Sequence, residues 1–344
     1  MPAVSIFDHM GETVSVCMIT KDEERYLEKC LQSVYGFVDE IVVVDTGSKD
    51  RTVEIARSFG LEVFNFTWSD DFASARNAAL DLASSDWILS LDADEWVEAD
   101  WAATYHSLQN PKTAEAILIE IDVKCATSFG GDYTFLAPRL FRRTDLRWYN
   151  RVHEKLLKPQ GNDPELGQFD PSVLKIVDIG YQNELDCRIK AQRNYALSLS
   201  ELADSQKVSS DRESIAQKLF EVGRSLVTLG RREESLQYFE GARNGTENLM
   251  LRLQSTDFLA RQLLSLQRFD HCKEVVTSLR KIGGDPKYCD WLSCQALAQT
   301  GKPREALALL RGLNSAIDTL GINVNSDRIS EFRLLCQQLV DLSN

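Results

Sequence analysis

No apolar run in this sequence approaches the roughly 20 residues needed to span a bilayer. Residues 1–12 carry acidic side chains and no apolar h-region, so they read as an N-terminal tail and not as a signal peptide. Basic charge is scarce: 39 Lys and Arg stand against 52 Asp and Glu, a net charge of −13. That balance argues against a broad phosphate-neutralising face, so no nucleic-acid partner is expected. Glycine is missing from the first turn, Thr20-Lys21-Asp22-Glu23-Glu24, which speaks against a glycine-rich phosphate-gripping loop. The eight cysteines are scattered, mostly inside apolar-periodic stretches. The closest pair, Cys289 and Cys294, fits no common zinc spacing and reads as two helix residues. The set reads as reduced core thiols of a cytoplasmic protein without a transmembrane segment.

What is present divides into two halves. With 344 residues, 43% of them hydrophobic, the chain suits two domains, each with its own core. The first half alternates strand and helix patterns. Residues 14–20 read as a buried strand, 23–36 as an amphipathic helix, 40–45 as a second strand and 51–59 as a helix stopped by Gly60. Residues 61–64 are a third strand, 73–83 a third helix, and 87–91 a fourth strand that runs into Asp92-Ala93-Asp94-Glu95. This order implies parallel pairing with helical crossovers. Ligands then bind at the carboxyl ends of the strands, where Thr20, Asp45 and Asp92 fall. Residues 116–123, 134–141 and 174–178 are further strand candidates, and 159–171 read as a surface loop.

After about Asp186 the strand signals stop and a helical repeat begins. Gly223, Leu226, Gly230, Ser235, Phe239 and Ala242 are followed in the same order by Ala260, Leu263, Gln267, Cys272, Val276 and Leu279. Cys294, Leu297, Gly301, Ala306, Leu310 and Leu313 come third. The periods of about 37 and 34 residues lie near the tetratricopeptide length. Small residues let paired helices approach, apolar ones fill the seam, and residues 326–342 read as a capping helix. The expected division is a tail at 1–12, a first domain at 13–185 and a helical repeat domain at 186–344.

The chemistry centres on carboxylates at strand ends. Asp92 and Asp94 leave the fourth strand one small residue apart, a pattern able to hold a hard divalent cation while leaving room for phosphates. The same pattern is common in plain surface turns. Asp45, at the end of the second strand, suits ribose hydroxyls or a base N–H, or else stabilises its own turn. Arg76 opens the third helix, where its planar fork can reach phosphate oxygens or pair with Asp71 or Asp81.

These features come together in four segments: VSVCMITKDEE at 14–24, IVVVDTGSKDRT at 41–52, ARNAAL at 75–80 and DWILSLDADE at 86–95. In their order and spacing the first ~180 residues resemble family 2 glycosyltransferases of the GT-A fold. WSDDFA at 68–73, PRLFR at 138–142 and VHE at 152–154 look like the subgroup with C-terminal tetratricopeptide repeats, which includes bacterial peptide S-glycosyltransferases. The implied fold is an α/β, Rossmann-like GT-A domain followed by an all-α, tetratricopeptide-like domain.

The resemblance implies roles residue by residue. Thr20, Glu23 and Asp45 would line a nucleoside pocket, and Arg76 would lie near the diphosphate. Asp92 and Ala93 would contact the donor, and Asp94 would bind Mn²⁺ or Mg²⁺. Glu154 would be the general base, with His153 orienting it or touching the phosphates, and Asp132 is the rival base. Relatives commonly carry a histidine before a Gly-Tyr pair to complete the metal site. Here Asp178 stands at that place, still a competent hard-metal ligand. The implied reaction is inverting transfer from a nucleotide sugar, UDP by default, to a peptide or protein side chain. A cell-surface glycan or glycolipid acceptor is the alternative, for which Arg139, Arg142, Arg143, Arg147 and Arg151 would form a basic set. A non-catalytic scaffold is the third reading. The repeat surfaces make a homodimer plausible.

Overall fold

The computed structural model describes residues 11–110, 114–125, 132–144, 146–207, 211–321 and 323–342. Residues 1–10, most of the expected tail, lie outside them. The chain divides into two compact units, the first ending at Cys187 and the second beginning at Arg188.

The first unit is built on four parallel strands: β1 (Val14–Thr20), β2 (Glu40–Asp45), β3 (Val63–Asn65) and β4 (Trp87–Ser90). β1 lies between β2 and β4 and is covered on both faces, which is why Val16-Cys17-Met18-Ile19 runs apolar with no alternation. The crossovers are α1 (Leu27–Val34), α2 (Thr52–Ser58) and α3 (Phe72–Leu82). α1 buries Leu27, Cys30, Leu31 and Val34, one face at helical spacing. α3 is capped by Asp71, whose carboxylate accepts the Ser74 amide at 2.9 Å.

The rest of the unit is β5 (Glu95–Ala99), α4 (Trp101–Leu108), β6 (Ala116–Cys125), β7 (Tyr133–Arg142), β8 (Arg147–Tyr149), β9 (Lys155–Leu157), β10 (Leu166–Gln168) and β11 (Leu174–Tyr181). The sheet order is β3-β2-β1-β4-β7-β6-β11-β5, with β10 beside β6 and with β8 and β9 forming a separate ribbon. The α/β expectation holds, and β6, β7 and β11 fall where strands were expected. β5, α4 and the short β8, β9 and β10 are additions. The stretch 159–171, expected to be plain loop, contains β10, which pairs with β6 in parallel. One face of the sheet buries Val16, Met18, Val43 and Leu89 among α1, α2 and α4 side chains. The other buries Cys17, Val42, Val44 and Ile88 against α3 and the β8–β9 ribbon.

The second unit is helical, as expected. α5 (Glu184–Lys207) leads into three pairs: α6 (Arg212–Thr228) with α7 (Arg232–Gly245), α8 (Leu249–Ser265) with α9 (Phe269–Lys281), and α10 (Pro286–Gln299) with α11 (Pro303–Leu310). α12 (Ser326–Asp341) follows. The repeat positions do what their residue types predict. Phe239, Ala260, Leu263, Cys272, Leu279, Cys294, Ala306 and Leu310 are all buried. The turn inside each pair needs a left-handed residue, supplied by Gly230, Gln267 and Gly301. All eight cysteines are free thiols, and seven of them are buried. No helix among the described residues is long and apolar enough to cross a membrane.

Gly223 shows how tight these seams are. A Cβ there would lie 2.7–3.0 Å from three ring carbons of Phe239. That ring is fully buried and held between Phe220 and Phe258. Gly223→Ala is therefore expected to destabilise the helical unit by about 1–3 kcal/mol, overriding the better helix propensity of alanine. Urea unfolding followed by circular dichroism checks this, and a stabilised variant would contradict it.

Candidate active site

Thr20 and Asp45 come together at the carboxyl ends of neighbouring strands, paired in register. The Asp45 carboxylate is already occupied. It accepts the Thr20 hydroxyl at 3.2 Å, the Ser48 hydroxyl at 2.5 Å and the amides of Gly47 and Ser48 at 2.9 Å each. Its visible work is to shape the Thr46-Gly47-Ser48 turn. The Glu23 amide donates to Thr52 Oγ1 at 2.7 Å, which ties the turn after β1 to α2.

Arg76 organises the neighbouring cluster. It projects from α3 with only 12% of its side chain exposed, and its fork spans two carboxylates. Nη2 donates to Asp92 Oδ1 at 2.7 Å and Nε to Glu154 Oε1 at 3.0 Å, while Nη1 reaches Ser90 Oγ at 3.4 Å. Neither Asp71 nor Asp81 takes it: Asp71 caps α3, and Asp81 pairs with Arg147. α3 is pinned in place by Asn77, which exchanges two 2.9 Å hydrogen bonds with the Trp148 backbone. The Phe72 amide donates to the Arg151 carbonyl at 2.9 Å, which fixes the segment carrying His153 and Glu154 beside the helix start. Burial works against charge on Arg76, but Asp92 and Glu154 outweigh it and hold the guanidinium protonated.

A second arginine, Arg139, lies on the far side of Asp92. Its Nη2 donates to Asp92 Oδ2 at 3.3 Å and to Glu95 Oε1 at 2.7 Å. Burial disfavours the charged Asp92, yet Arg76 and Arg139 hold its carboxyl well below the usual range. Glu95 behaves in the opposite way. Its side chain is 1% exposed, and burial pushes it well above its ordinary value against the pull of Arg139. Its Oε2 accepts the Asp92 amide at 2.9 Å, while its own amide donates to the Asp92 carbonyl at 3.0 Å. These reciprocal bonds close the Asp92-Ala93-Asp94 turn.

Sequence reasoning missed Glu95 and Ser90 and placed Arg139 in a different role. β7 carries a bulge: Pro138 faces Leu118 and Leu140 faces Ile117, leaving Arg139 between them. The bulge re-aims Arg139 toward Asp92. Three of the expected basic set have local partners. Arg142 stacks on Trp87 at 4.5 Å, Arg143 donates to the Ser85 carbonyl at 2.8 Å, and Arg147 pairs with Asp81 at 3.2 Å.

Asp94 and Asp178 are brought to adjoining backbone positions. The Ile179 amide donates to the Asp94 carbonyl at 3.2 Å, and Asp178 pairs in register with Glu95. Asp178 also accepts the Gly180 amide at 2.8 Å. Among the described residues no group of three or more His, Cys, Asp or Glu side chains forms a cation cage. Carboxylates at these two positions would suit a Mg²⁺ or Mn²⁺ that takes its remaining ligands from phosphate and water. Buried Ala93 keeps the turn tight between Asp92 and Asp94.

His153 directly precedes Glu154 and adopts a left-handed backbone, φ 55°, which a non-glycine residue takes at a cost. Asp132, the rival base, is not part of the Arg76 cluster. It accepts the Cys125 amide at 3.0 Å and pairs with Lys124 at 3.3 Å, and those two contacts, the amide first, lower its pKa. The flanking Gly130 and Gly131 lie outside the described residues.

Residues 15–113 match the family model Glycosyl transferase family 2. A TPR repeat-containing protein of Synechococcus elongatus is 40% identical over 157 residues, covering 44% of this chain and 38% of that protein. The prophage-derived glycosyltransferase SunS of Bacillus subtilis is 28% identical over 243 residues, covering 67% of this chain and 53% of that one. The chain thus spans about half or less of the length of these relatives. Among solved structures, S. aureus TarS residues 1–349 in complex with UDP aligns over 88% of this chain and 90% of that one, at 15% identity and a TM-score of 0.40. The family 2 match runs from Ser15 in β1 through α4, and includes Arg76 and the Asp92-Ala93-Asp94 turn.

Proposed function

We propose that the chain is an inverting glycosyltransferase that moves a sugar from a nucleotide sugar, UDP by default, to a peptide or protein side chain. The reading is carried by the convergence of Arg76 on Asp92 and Glu154 at the end of β4, with Arg76 and Asp92 inside the segment matching family 2 and Glu154 beyond it. In this reading Thr20, Glu23 and Asp45 line the nucleoside side, and Arg76 and His153 stabilise the departing diphosphate. Asp94 and Asp178 would hold a divalent cation, which supplies Lewis-acid neutralisation of the leaving group when bound. Glu154 Oε1 is held by Arg76, and Oε2 has no protein hydrogen-bond partner among the described residues. Oε2 is then the oxygen that takes the acceptor proton as the acceptor atom attacks the anomeric carbon. A glycan or glycolipid acceptor is the alternative reading. The tetratricopeptide assignment of the helical pairs and a homodimer through them belong to the same proposal.

The test is binding and turnover across UDP-, GDP- and dTDP-sugars with Mn²⁺ or Mg²⁺, comparing wild type with Asp94→Ala. One donor is expected to be used in a metal-dependent way, with turnover at least about a hundredfold lower in the variant. Retention of anomeric configuration, or no donor bound under any metal, would sink the reading.

A further inference from the structure

β7 is paired on both edges only along part of its length. β6 follows it from Val123 opposite Tyr133 down to Ala116 opposite Phe141. On the other edge β4 reaches only as far as Leu89 opposite Leu140. Among the described residues no strand pairs with that second edge over residues 134–138. In an antiparallel pair every other residue turns its N–H and C=O away from the partner. Along this stretch those groups face a lane that β4 vacates after Ser90.

The side chains there are equally unusual. Thr134, Phe135 and Leu136 are all exposed, Phe135 by 38% and Leu136 by 43%. Natural sheet edges are blunted by charge, yet residues 134–137 (TFLA) carry none. Pro138 lacks an N–H and ends the usable edge. Three residues beyond Leu136, about 10 Å along the strand, stands Arg139, which holds Asp92 and Glu95.

We propose that the free edge of β7 at residues 134–137 docks an extended polypeptide by strand addition, as the acceptor-binding lane. Alternating backbone donors and acceptors at strand spacing are a pattern that another peptide backbone matches and a sugar or lipid does not. Phe135 and Leu136, on opposite faces, grip alternate side chains. Because the lane is collinear with β4, a peptide lying in it ends beside Asp92-Ala93-Asp94. This placement rests on the transferase reading for its purpose; the docking itself does not.

The test selects peptides from a displayed random decapeptide library on the immobilised full chain. The selected peptides are remade with a fluorophore, and affinity is read by anisotropy while each backbone amide is N-methylated in turn. The expected result is a period of two, with about tenfold weakening at alternate positions and little change between them. Phe135→Lys and Leu136→Lys, checked for folding by circular dichroism, are expected to weaken the same peptides at least about fivefold. Methylation effects without alternation, or peptides indifferent to both variants, overturn the proposal. So does a selection that yields no binder from a chain that binds a nucleotide sugar. A dimer in sedimentation that Leu136→Lys splits overturns it too, by placing a second copy on the edge. A period of two in a chain that binds no nucleotide sugar keeps the docking edge and fails the transferase reading instead.

Discussion

Arg76→Ala is expected to lower sugar transfer by about a hundredfold to a thousandfold and to destabilise the first unit by about 3–5 kcal/mol. Both effects have one cause. The guanidinium pairs with Glu154 at 3.0 Å, and it is the closer of the two that hold Asp92, at 2.7 Å against 3.3 Å. Removing it leaves a half-buried carboxylate pair short of charge, which costs more than the pair contributes when intact. Arg76→Lys separates the two effects. A lysine keeps the charge but reaches as a single point, so it cannot serve Asp92, Glu154 and Ser90 together. It is expected to recover much of the stability while transfer stays at least about tenfold down. Melting temperature and kcat, measured with the donor found above, decide the matter. Normal kcat in Arg76→Lys would show that fork geometry is irrelevant to the chemistry and reduce Arg76 to a structural ion.

Why Arg76 was legible and its partners were not is a matter of what periodicity carries. β1, β2 and β4 stand out because they are covered on both faces, so their apolar runs are continuous and end abruptly at Thr20, Asp45 and Asp92. An arginine at the start of the helix leading into β4 then has to lie near the end of that strand. Glu154 lies between the two three-residue strands of the β8–β9 ribbon, which are too short to display any period. Tertiary hydrogen bonds bring it to Arg76: the pair between Asn77 and the Trp148 backbone, and the Phe72 amide to the Arg151 carbonyl. Arg139 was hidden by the bulge, because a sequence with apolar residues on both sides of it gives no sign that the alternation slips by one. Glu95 looked like one more residue of an acidic turn, and its burial comes from the pairing of β5 with β11, eighty residues away in the chain. Asp132 could not be placed from sequence, since a carboxylate beside glycines suits a ligand loop and a plain turn equally well.

Arg139 and Glu95 provide the second large effect, as a coupled pair. Arg139→Met is expected to cost about 3–5 kcal/mol, because it strands a carboxylate that is 1% exposed and already pushed above its ordinary pKa by burial. Glu95→Gln is expected to cost about 1–3 kcal/mol for a different reason. Two donors face the two Glu95 oxygens, Arg139 Nη2 at 2.7 Å and the Asp92 amide at 2.9 Å. A glutamine must turn its own NH₂ toward one of them, leaving donor against donor. In Arg139→Met/Glu95→Gln that conflict disappears. The glutamine oxygen takes the Asp92 amide, and its NH₂ no longer opposes a guanidinium. The double variant is therefore expected to lose less than the sum of the single ones, with a coupling of about 0.5–3 kcal/mol. Urea unfolding of the four proteins closes the cycle. Strict additivity would mean that Arg139 and Glu95 act independently, and that the closed turn at Asp92 owes nothing to the arginine beneath it.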